Sequence, residues 1–129
     1  MIALDTNILA RYLLRDDPQH RKARALLRAK REYWVPITVI LELAWVLKHK
    51  GVPQPEITQR LREVLALKTL RPQLPEAIYP ALQWAEAGLD FADALHLALS
   101  QRAEQLLTFD QEFSRRAQVQ ALSPAVTNP

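Results

Sequence analysis

Residues 1–7, MIALDTN, contain the pattern on which the fold prediction depends. The apolar run 1–4 is typical of a short buried strand, and Asp5 ends it. The run 106–109, LLTF, has the same character and is ended by Asp110. Two acidic residues therefore directly follow predicted strands, at positions where helices are expected to begin.

Two further acidic residues lie in the first turns of predicted helices. Thr38 is a predicted N-cap, with Glu42 one turn inside its helix. Asp90 is a second predicted N-cap, with Asp93 at the third helical position. In an open parallel sheet, strand ends and the following helix starts lie along one edge, where ligands bind. We therefore expect Asp5, Glu42, Asp93 and Asp110 to meet in one site.

Such a cluster of carboxylates limits what the site can be. Two like charges about 4 Å apart repel each other by roughly 4 kcal/mol at an effective dielectric of 20. Four acids make several such pairs, so the cluster must take up protons or hold a cation. Ligands that are all oxygen, without a cysteine or histidine cluster, favour Mg²⁺ or Mn²⁺ over Zn²⁺.

Helical patterns separate the predicted strands along the whole chain. The strands are expected in five segments: 1–5, 33–35, 70–74, 105–108 and 119–122. This order predicts an α/β fold with a central parallel sheet of about five strands, flanked by helices and joined by right-handed crossovers. Pro72 places the third strand at an edge, because proline lacks the N–H that a central strand donates. Residues 123–129 are expected to form a loose tail.

Length and composition predict one globular domain over residues 1–129. The chain is 49% hydrophobic and 24% charged, which is ordinary for a folded protein and unlike a disordered one. It has no cysteine, so disulfides and thiolate metal sites are excluded. No apolar run approaches the roughly 20 residues of a membrane span. We expect a soluble cytoplasmic protein that does not contact a membrane.

Positive charge is concentrated near the N-terminus. Residues 11–31 hold eight basic residues against two acidic ones, a net charge of +6, which leaves −3 for the rest of the +3 chain. A basic segment attached to an acidic body can steer a polyanion such as nucleic acid. The candidates for this binding are Arg11, Arg15, Arg21, Arg24 and Arg28. The alternative is a solvated helix face, since basic residues recur at helical spacing beside an apolar stripe.

Four acidic motifs occur in a fixed order along the chain. They are LDTN at 4–7, VILELAWVL at 39–47, DFADALHLALS at 90–100 and LTFD at 107–110. In order and spacing they resemble the PIN-domain ribonucleases and, within that family, the VapC-type toxins of bacterial toxin–antitoxin pairs. The resemblance spans nearly the whole chain. It implies a single PIN-like domain that is a metal-dependent endoribonuclease.

The resemblance also implies roles for individual residues. Asp5, Glu42 and Asp93 match the three central acids of the family, and Asp110 matches a fourth that is more variable. Asp5 and Asp93 are expected to anchor Mg²⁺ or Mn²⁺, with the other two acids completing the site. The residues expected to orient carboxylates or water are Thr6, Asn7 and Thr108. Asp90 is expected to be a helix cap. The resemblance further implies a cognate antitoxin and a homodimer.

Several of these residues also have structural explanations. Each of the four acids is a plausible turn or helix-cap residue by itself. His96, one turn after Asp93, fits a packed histidine better than a catalytic one. The tryptophans are able to stack on bases, but their aliphatic surroundings favour core or subunit packing; they are Trp34, Trp45 and Trp84.

Two other functions are compatible with parts of the sequence. A phosphatase with Asp5 as nucleophile, as in haloacid-dehalogenase-like proteins, is expected to have a second acid two residues on, where Asn7 stands. A catalytically silent RNA-binding or adaptor module would keep the fold and the basic segment. Incubating RNA with Mn²⁺ and then with a chelator separates that module from a nuclease.

Overall fold

Five short strands and seven helices make up the chain in this computed structural model, which describes residues 1–129. The residues form two compact units, Met1–Leu74 and Pro75–Pro129, each with its own sheet. All strand pairs are parallel, as predicted, and at least one helix separates each strand from the next along the chain. The predicted α/β class is therefore confirmed. The five strands are divided between a three-stranded and a two-stranded sheet.

The first unit contains a three-stranded sheet in the order β1-β2-β3. Its elements are β1 (Ile2–Ala3), α1 (Thr6–Leu13), α2 (His20–Arg28), β2 (Tyr33–Val35), α3 (Ile37–His49), α4 (Gln54–Leu65) and β3 (Leu70–Pro72). Tyr33 of β2 is in register with Ile2 on one side and Leu70 on the other. Because the strands are parallel, their carboxyl ends share one edge. The helices α1 and α3 begin just after β1 and β2 end.

Helix α3 supplies much of the core of the first unit. Its aliphatic residues at helical spacing, Val39, Ile40, Leu43 and Leu47, are all buried. The helix packs against α1 and α4, and α1 also packs against α2. It ends near Gly51, whose φ of +84° lies in the left-handed region that glycine adopts without strain.

Strand β3 is an edge strand, as Pro72 predicted. Only β2 pairs with it, and Pro72 is in register with Val35. Beyond the strand, the backbone N–H of Gln73 donates to the Val35 carbonyl oxygen at 2.9 Å. The missing N–H of Pro72 is tolerated because a strand with one partner does not need a full ladder of donors.

The second unit contains the remaining elements. They are α5 (Pro75–Glu86), α6 (Phe91–Ala98), β4 (Gln105–Leu107), α7 (Gln111–Val119) and β5 (Ala125–Thr127). Helices α5 and α6 pack against each other, and α7 packs against β5. Among the least exposed side chains of this unit are Ile78, Leu82, Leu89, Leu95 and Phe113. No helix in either unit combines the length and the hydropathy needed to cross a membrane.

The C-terminal segment differs from the sequence prediction. The predicted strand at 119–122 is wrong, because α7 continues to Val119 and a turn follows in which Ala121 has a φ of +53°. The predicted loose tail at 123–129 is also wrong. Residues 125–127 form β5, which pairs with β4 and buries Val126 to 1% exposure. Burial of this valine, together with the ladder to β4, orders the segment.

Replacing Val126 tests whether the C-terminal strand belongs to the folded core. We expect Val126→Ala to lower the free energy of unfolding by about 1.5–3 kcal/mol, since a buried side chain is truncated. Val119 is 75% exposed, so the control Val119→Ala should change the free energy of unfolding by less than about 0.5 kcal/mol. Urea denaturation followed by circular dichroism measures both values. Equal values for the two variants would mean that the strand is not part of the core.

Candidate functional site

Asp5 is the N-cap of α1, one residue after Leu4. Leu4 continues the pairing of β1, since its N–H donates to the Trp34 carbonyl oxygen at 3.0 Å. The Oδ1 atom of Asp5 accepts from the backbone N–H of Thr6 at 2.8 Å. The residue is exposed, and its Oδ2 atom has neither a hydrogen bond nor an ion pair. One oxygen therefore orients the carboxylate while the other stays available to a ligand.

Thr6 contacts Asp5 through its backbone and not through its hydroxyl. The side chain of Thr6 is 4% exposed, and its Oγ1 atom is buried without a hydrogen-bond partner. A buried polar group without a partner destabilises a protein by about 1–3 kcal/mol. The neighbouring Asn7 is exposed. The supporting roles of Thr6 and Asn7 stay predictions.

Glu42 lies in α3 and is exposed, with no hydrogen bond or ion pair at its carboxylate. The prediction that Thr38 caps this helix is wrong, because α3 begins earlier, at Ile37, with Pro36 as the N-cap. Pro36 has no side-chain acceptor. Instead, the Oε1 atom of Gln73 accepts from the Ile37 N–H at 2.9 Å. Sequence reasoning missed Gln73, because no local signal links it to a helix start 36 residues away.

Asp90 is the N-cap of α6, as predicted. Its Oδ2 atom accepts from the backbone N–H of Asp93 at 3.2 Å. Asp93 is half-buried in the first turn of the same helix. The cap thus accounts for the position of Asp90 and fixes the backbone that carries Asp93.

Asp110 is the N-cap of α7 and is exposed. Its Oδ1 atom accepts from the Phe113 N–H at 3.1 Å, and its Oδ2 atom has no hydrogen bond. The Oγ1 atom of Thr108 accepts from the backbone N–H of Asp110 at 3.0 Å. Thr108 therefore holds the backbone of the loop, whereas the carboxylate itself is oriented by the helix that it caps.

Two residues that sequence reasoning missed support this loop. The Nδ2 atom of Asn128 donates to the Thr108 carbonyl oxygen at 2.8 Å. The Oγ atom of the buried Ser114 donates to the Oδ1 atom of Asn128 at 2.9 Å. Asn128 directly follows the ordered C-terminal strand, which the sequence did not reveal. The segment expected to be loose therefore holds the loop that carries Asp110.

The arginines of α7 are engaged by Glu112 and not by Asp110. Two hydrogen bonds hold the pKa of Glu112 below its ordinary value; the larger effect comes from Arg115 and the next from Arg116. The hydrogen bond between Arg115 and Glu112 also raises the pKa of Arg115. Arg116 also donates to the Gly88 carbonyl oxygen at 2.7 Å. Asp110 consequently has no cation paired with it, although two arginines lie on its helix.

The four predicted metal ligands are divided equally between the units. Asp5 and Glu42 belong to the first unit, and Asp93 and Asp110 belong to the second. The structure contains no group of three or more His, Asp or Glu side chains that could hold a metal ion. The donor chemistry does suit a hard cation, because all four side chains offer carboxylate oxygens. Their joint action stays a prediction.

Aromatic residues differ from the sequence expectation. His96 is exposed instead of packed. Of the two predicted kinds of packing, core packing is wrong for Trp34 and Trp45, which are 38% and 58% exposed, and subunit packing stays a prediction. The indole of Trp45 contacts the imidazole of His49, with ring centroids 3.8 Å apart. Trp84 is half-buried.

The five candidate arginines fall into two groups. Arg11 donates to the side-chain oxygen of Gln19, and its Nε atom lies 3.9 Å from Asp17. Arg15 pairs with Glu63 at 3.6 Å. The other three are exposed on α2 without a carboxylate partner: Arg21, Arg24 and Arg28. The predicted apolar stripe beside them is buried at Ala23 and Leu27, but its third member, Leu26, is 37% exposed.

Comparison with known proteins identifies the family. The PIN domain family model matches residues 2–119, and the chain therefore belongs to the PIN-domain family. It is similar to the crystal structure of Mycobacterium tuberculosis VapC20, described as a Sarcin-Ricin loop cleaving toxin, at 20% sequence identity and a TM-score of 0.44. That match covers 89% of this chain and 94% of the other. No curated protein matches the chain.

A pair of buried threonines tests the unpartnered hydroxyl of Thr6. We expect Thr6→Val to raise the free energy of unfolding by about 1 kcal/mol, because it removes a buried polar group that has no partner. Thr58 is 1% exposed, and its hydroxyl donates to the Pro55 carbonyl oxygen. Because Thr58→Val removes this hydrogen bond, it should lower the free energy of unfolding by about 1 kcal/mol. Thermal and urea unfolding measure both. A similar loss in the two variants would show that the Thr6 hydroxyl has a partner in solution.

Proposed function

We propose that this chain is a metal-dependent endoribonuclease of the VapC type, the toxin of a type II toxin–antitoxin pair. The observation that carries the proposal is the PIN family match over residues 2–119. That range contains all four acids of the predicted site. Three of them are exposed and keep at least one carboxylate oxygen without a protein partner: Asp5, Glu42 and Asp110. Membership in this family, together with oxygens available to an ion, supports hydrolysis of RNA phosphodiester bonds.

In this proposal the four carboxylates hold Mg²⁺ or Mn²⁺, with Asp5 and Asp93 as the main anchors. Glu42 and Asp110 complete the ligand set or act through water. A bound divalent ion lowers the pKa of a water ligand and neutralises charge on the reacting phosphate. The chain's own contribution is orientation, because helix N–H groups fix one oxygen of Asp5 and one of Asp110. Asn7 and Thr6 are proposed to orient carboxylates or water, Thr6 through its backbone N–H, while Thr108 holds the loop before Asp110.

The substrate in this proposal is RNA held partly by α2. Arg21, Arg24 and Arg28 stand at i, i+3 and i+7, which places them along one face of the helix. Ala23 and Leu27 anchor the helix in the core and the three arginines are exposed, so their guanidinium groups lie in solvent, where they can pair with phosphates. Arg11 and Arg15 already contact acidic or amide oxygens, and their share of RNA binding is expected to be smaller.

The proposal includes a protein partner and a cellular setting. A cognate antitoxin that presents an arginine would find exposed carboxylates at Asp5, Glu42 and Asp110, and a guanidinium binds a carboxylate in a bidentate manner. A homodimer and a cytoplasmic location accompany the proposal, the former through the resemblance to VapC-type toxins. Co-purification of a small protein whose removal restores cleavage would support the pairing, and one that leaves cleavage unchanged would count against it.

A second candidate is a catalytically silent RNA-binding module. It is favoured by one observation, that no three acidic side chains form a metal-binding group in the structure. The basic face of α2 would serve such a module equally well. Incubation of RNA with Mn²⁺ distinguishes the candidates. A nuclease shortens the RNA and stops doing so when a chelator is added, whereas a silent module leaves the RNA intact in both conditions.

Substitution of the anchor acids tests the proposed metal ligands. We expect Asp5→Asn and Asp93→Asn each to reduce Mn²⁺-dependent cleavage by at least about 100-fold, since a ligand charge is lost. The fold should persist in Asp5→Asn, because asparagine caps helices as well as aspartate does. Asp16→Asn is a matched control that removes an exposed carboxylate outside the site. Gel analysis of end-labelled RNA measures the rates. If Asp5→Asn keeps full activity with Mn²⁺ while samples without metal stay inactive, Asp5 is not a metal ligand.

The salt dependence of RNA binding tests the role of α2. Each phosphate contact on single-stranded nucleic acid contributes about −0.7 to the slope of log K against log salt concentration. We expect Arg24→Ala to make this slope less negative by about that amount. Arg15→Ala should change it less, because Arg15 already pairs with Glu63. Fluorescence anisotropy of labelled RNA in chelator measures the slopes, and equal slopes for Arg24→Ala and the unsubstituted protein would remove α2 from the interface.

A further inference from the structure

The exposed face of α3 carries an aromatic pair that packing does not explain. Trp45 is 58% exposed, although the helix that bears it buries five other residues in the core. Its indole lies against the His49 imidazole, with centroids 3.8 Å apart and planes tilted by 33°. The Nδ1–H of His49 donates to the Trp45 carbonyl oxygen at 3.0 Å. The imidazole is therefore held in place, and the indole resting on it is preorganised while much of its surface stays in water.

This pair shares a helix face with one of the proposed metal ligands. Glu42, Trp45 and His49 stand at i, i+3 and i+7 of α3, and all three are exposed. Side chains three residues apart on a helix have Cβ atoms roughly 5–6 Å apart. The carboxylate proposed to act on a phosphodiester is thus followed, within the span of about one nucleotide, by an exposed aromatic surface.

We propose that Trp45, supported by His49, stacks on a nucleobase of the RNA substrate beside Glu42. The inference rests on the proposed action on RNA and names the part of the substrate that this face contacts. A flat indole offers its π-surface to any base and so favours bases that are unpaired and free to leave their neighbours. This stacking platform, formed by Trp45 on His49, therefore selects single-stranded or looped RNA over a continuous duplex. The basic face of α2 contacts phosphates, whereas this face contacts a base.

The test compares an RNA with bases and one without. Binding of oligoadenylate and of an abasic ribose-phosphate oligomer of equal length is measured in chelator, so that no cleavage occurs. We expect Trp45→Ala to bind oligoadenylate about 5- to 150-fold more weakly and the abasic oligomer equally well, because only base stacking is lost. Trp45→Phe should recover part of the loss. Tyr79→Ala, which removes an aromatic residue that is 41% exposed on α5, should bind both oligomers unchanged.

Fluorescence gives a second readout of the same contact. In the variant Trp34→Phe/Trp84→Phe, Trp45 is the only indole, and oligoadenylate should quench its emission while the abasic oligomer does not. An equal loss of affinity for both oligomers in Trp45→Ala, or no loss for either, would overturn the proposal. Sedimentation of Trp45→Ala provides another outcome: conversion of a dimer to a monomer would assign this face to a contact between copies of the chain and overturn it too.

The proposed ribonuclease activity and the platform can fail independently. If the protein binds oligoadenylate through Trp45 but never cleaves RNA with Mn²⁺, the platform stands and the nuclease fails. If Trp45→Ala cleaves and binds RNA as the unsubstituted protein does, the nuclease stands and the platform is wrong.

Discussion

The backbone N–H groups in the first turn of a helix have no partner inside that helix and need an acceptor from elsewhere. In this chain, aspartates supply it at three helices: Asp5 at α1, Asp90 at α6 and Asp110 at α7. The requirement places carboxylates at helix starts and fixes their rotamers. An aspartate cap uses one oxygen, so Asp5 and Asp110 each keep a second oxygen for a ligand. Capping and metal binding are therefore compatible roles of one side chain.

Sequence reasoning predicted features that depend on strong local signals. Strand β2 and the edge position of β3 follow from an apolar run and from Pro72, and both are confirmed. The C-terminal strand β5 was missed because its order comes from pairing with β4. The start of α3 was misplaced because its N-cap, Pro36, has no side-chain acceptor and the first N–H bonds instead to Gln73, which is remote in sequence. Contacts between distant residues determine both features, and local propensity does not predict such contacts.

For the candidate site, the sequence predicted residue types better than it predicted surroundings. The role of the four acids stays a prediction, and the structure shows that arginines pair with other carboxylates, such as Glu112 and Glu63. Aliphatic neighbours suggested that Trp45 is packed, yet helical periodicity places it on the side opposite the buried face. Composition around a residue does not specify which side of a helix the residue occupies. Exposure of Trp45 beside Glu42 is what extends the functional account from a metal site to a base contact.

The proposed chemistry requires carboxylates from distant segments to share one divalent ion. Titration of the folded protein with Mn²⁺, followed by nuclear magnetic resonance, measures this sharing, because the paramagnetic ion broadens only nearby amide signals. If the ion is shared, the signals of Asp5, Glu42, Asp93 and Asp110 broaden together at the same low Mn²⁺ concentration, while those of Asp16 and Glu104 stay sharp. Broadening spread evenly over the exposed acids, or confined to sites away from these four, would rule out a shared ion.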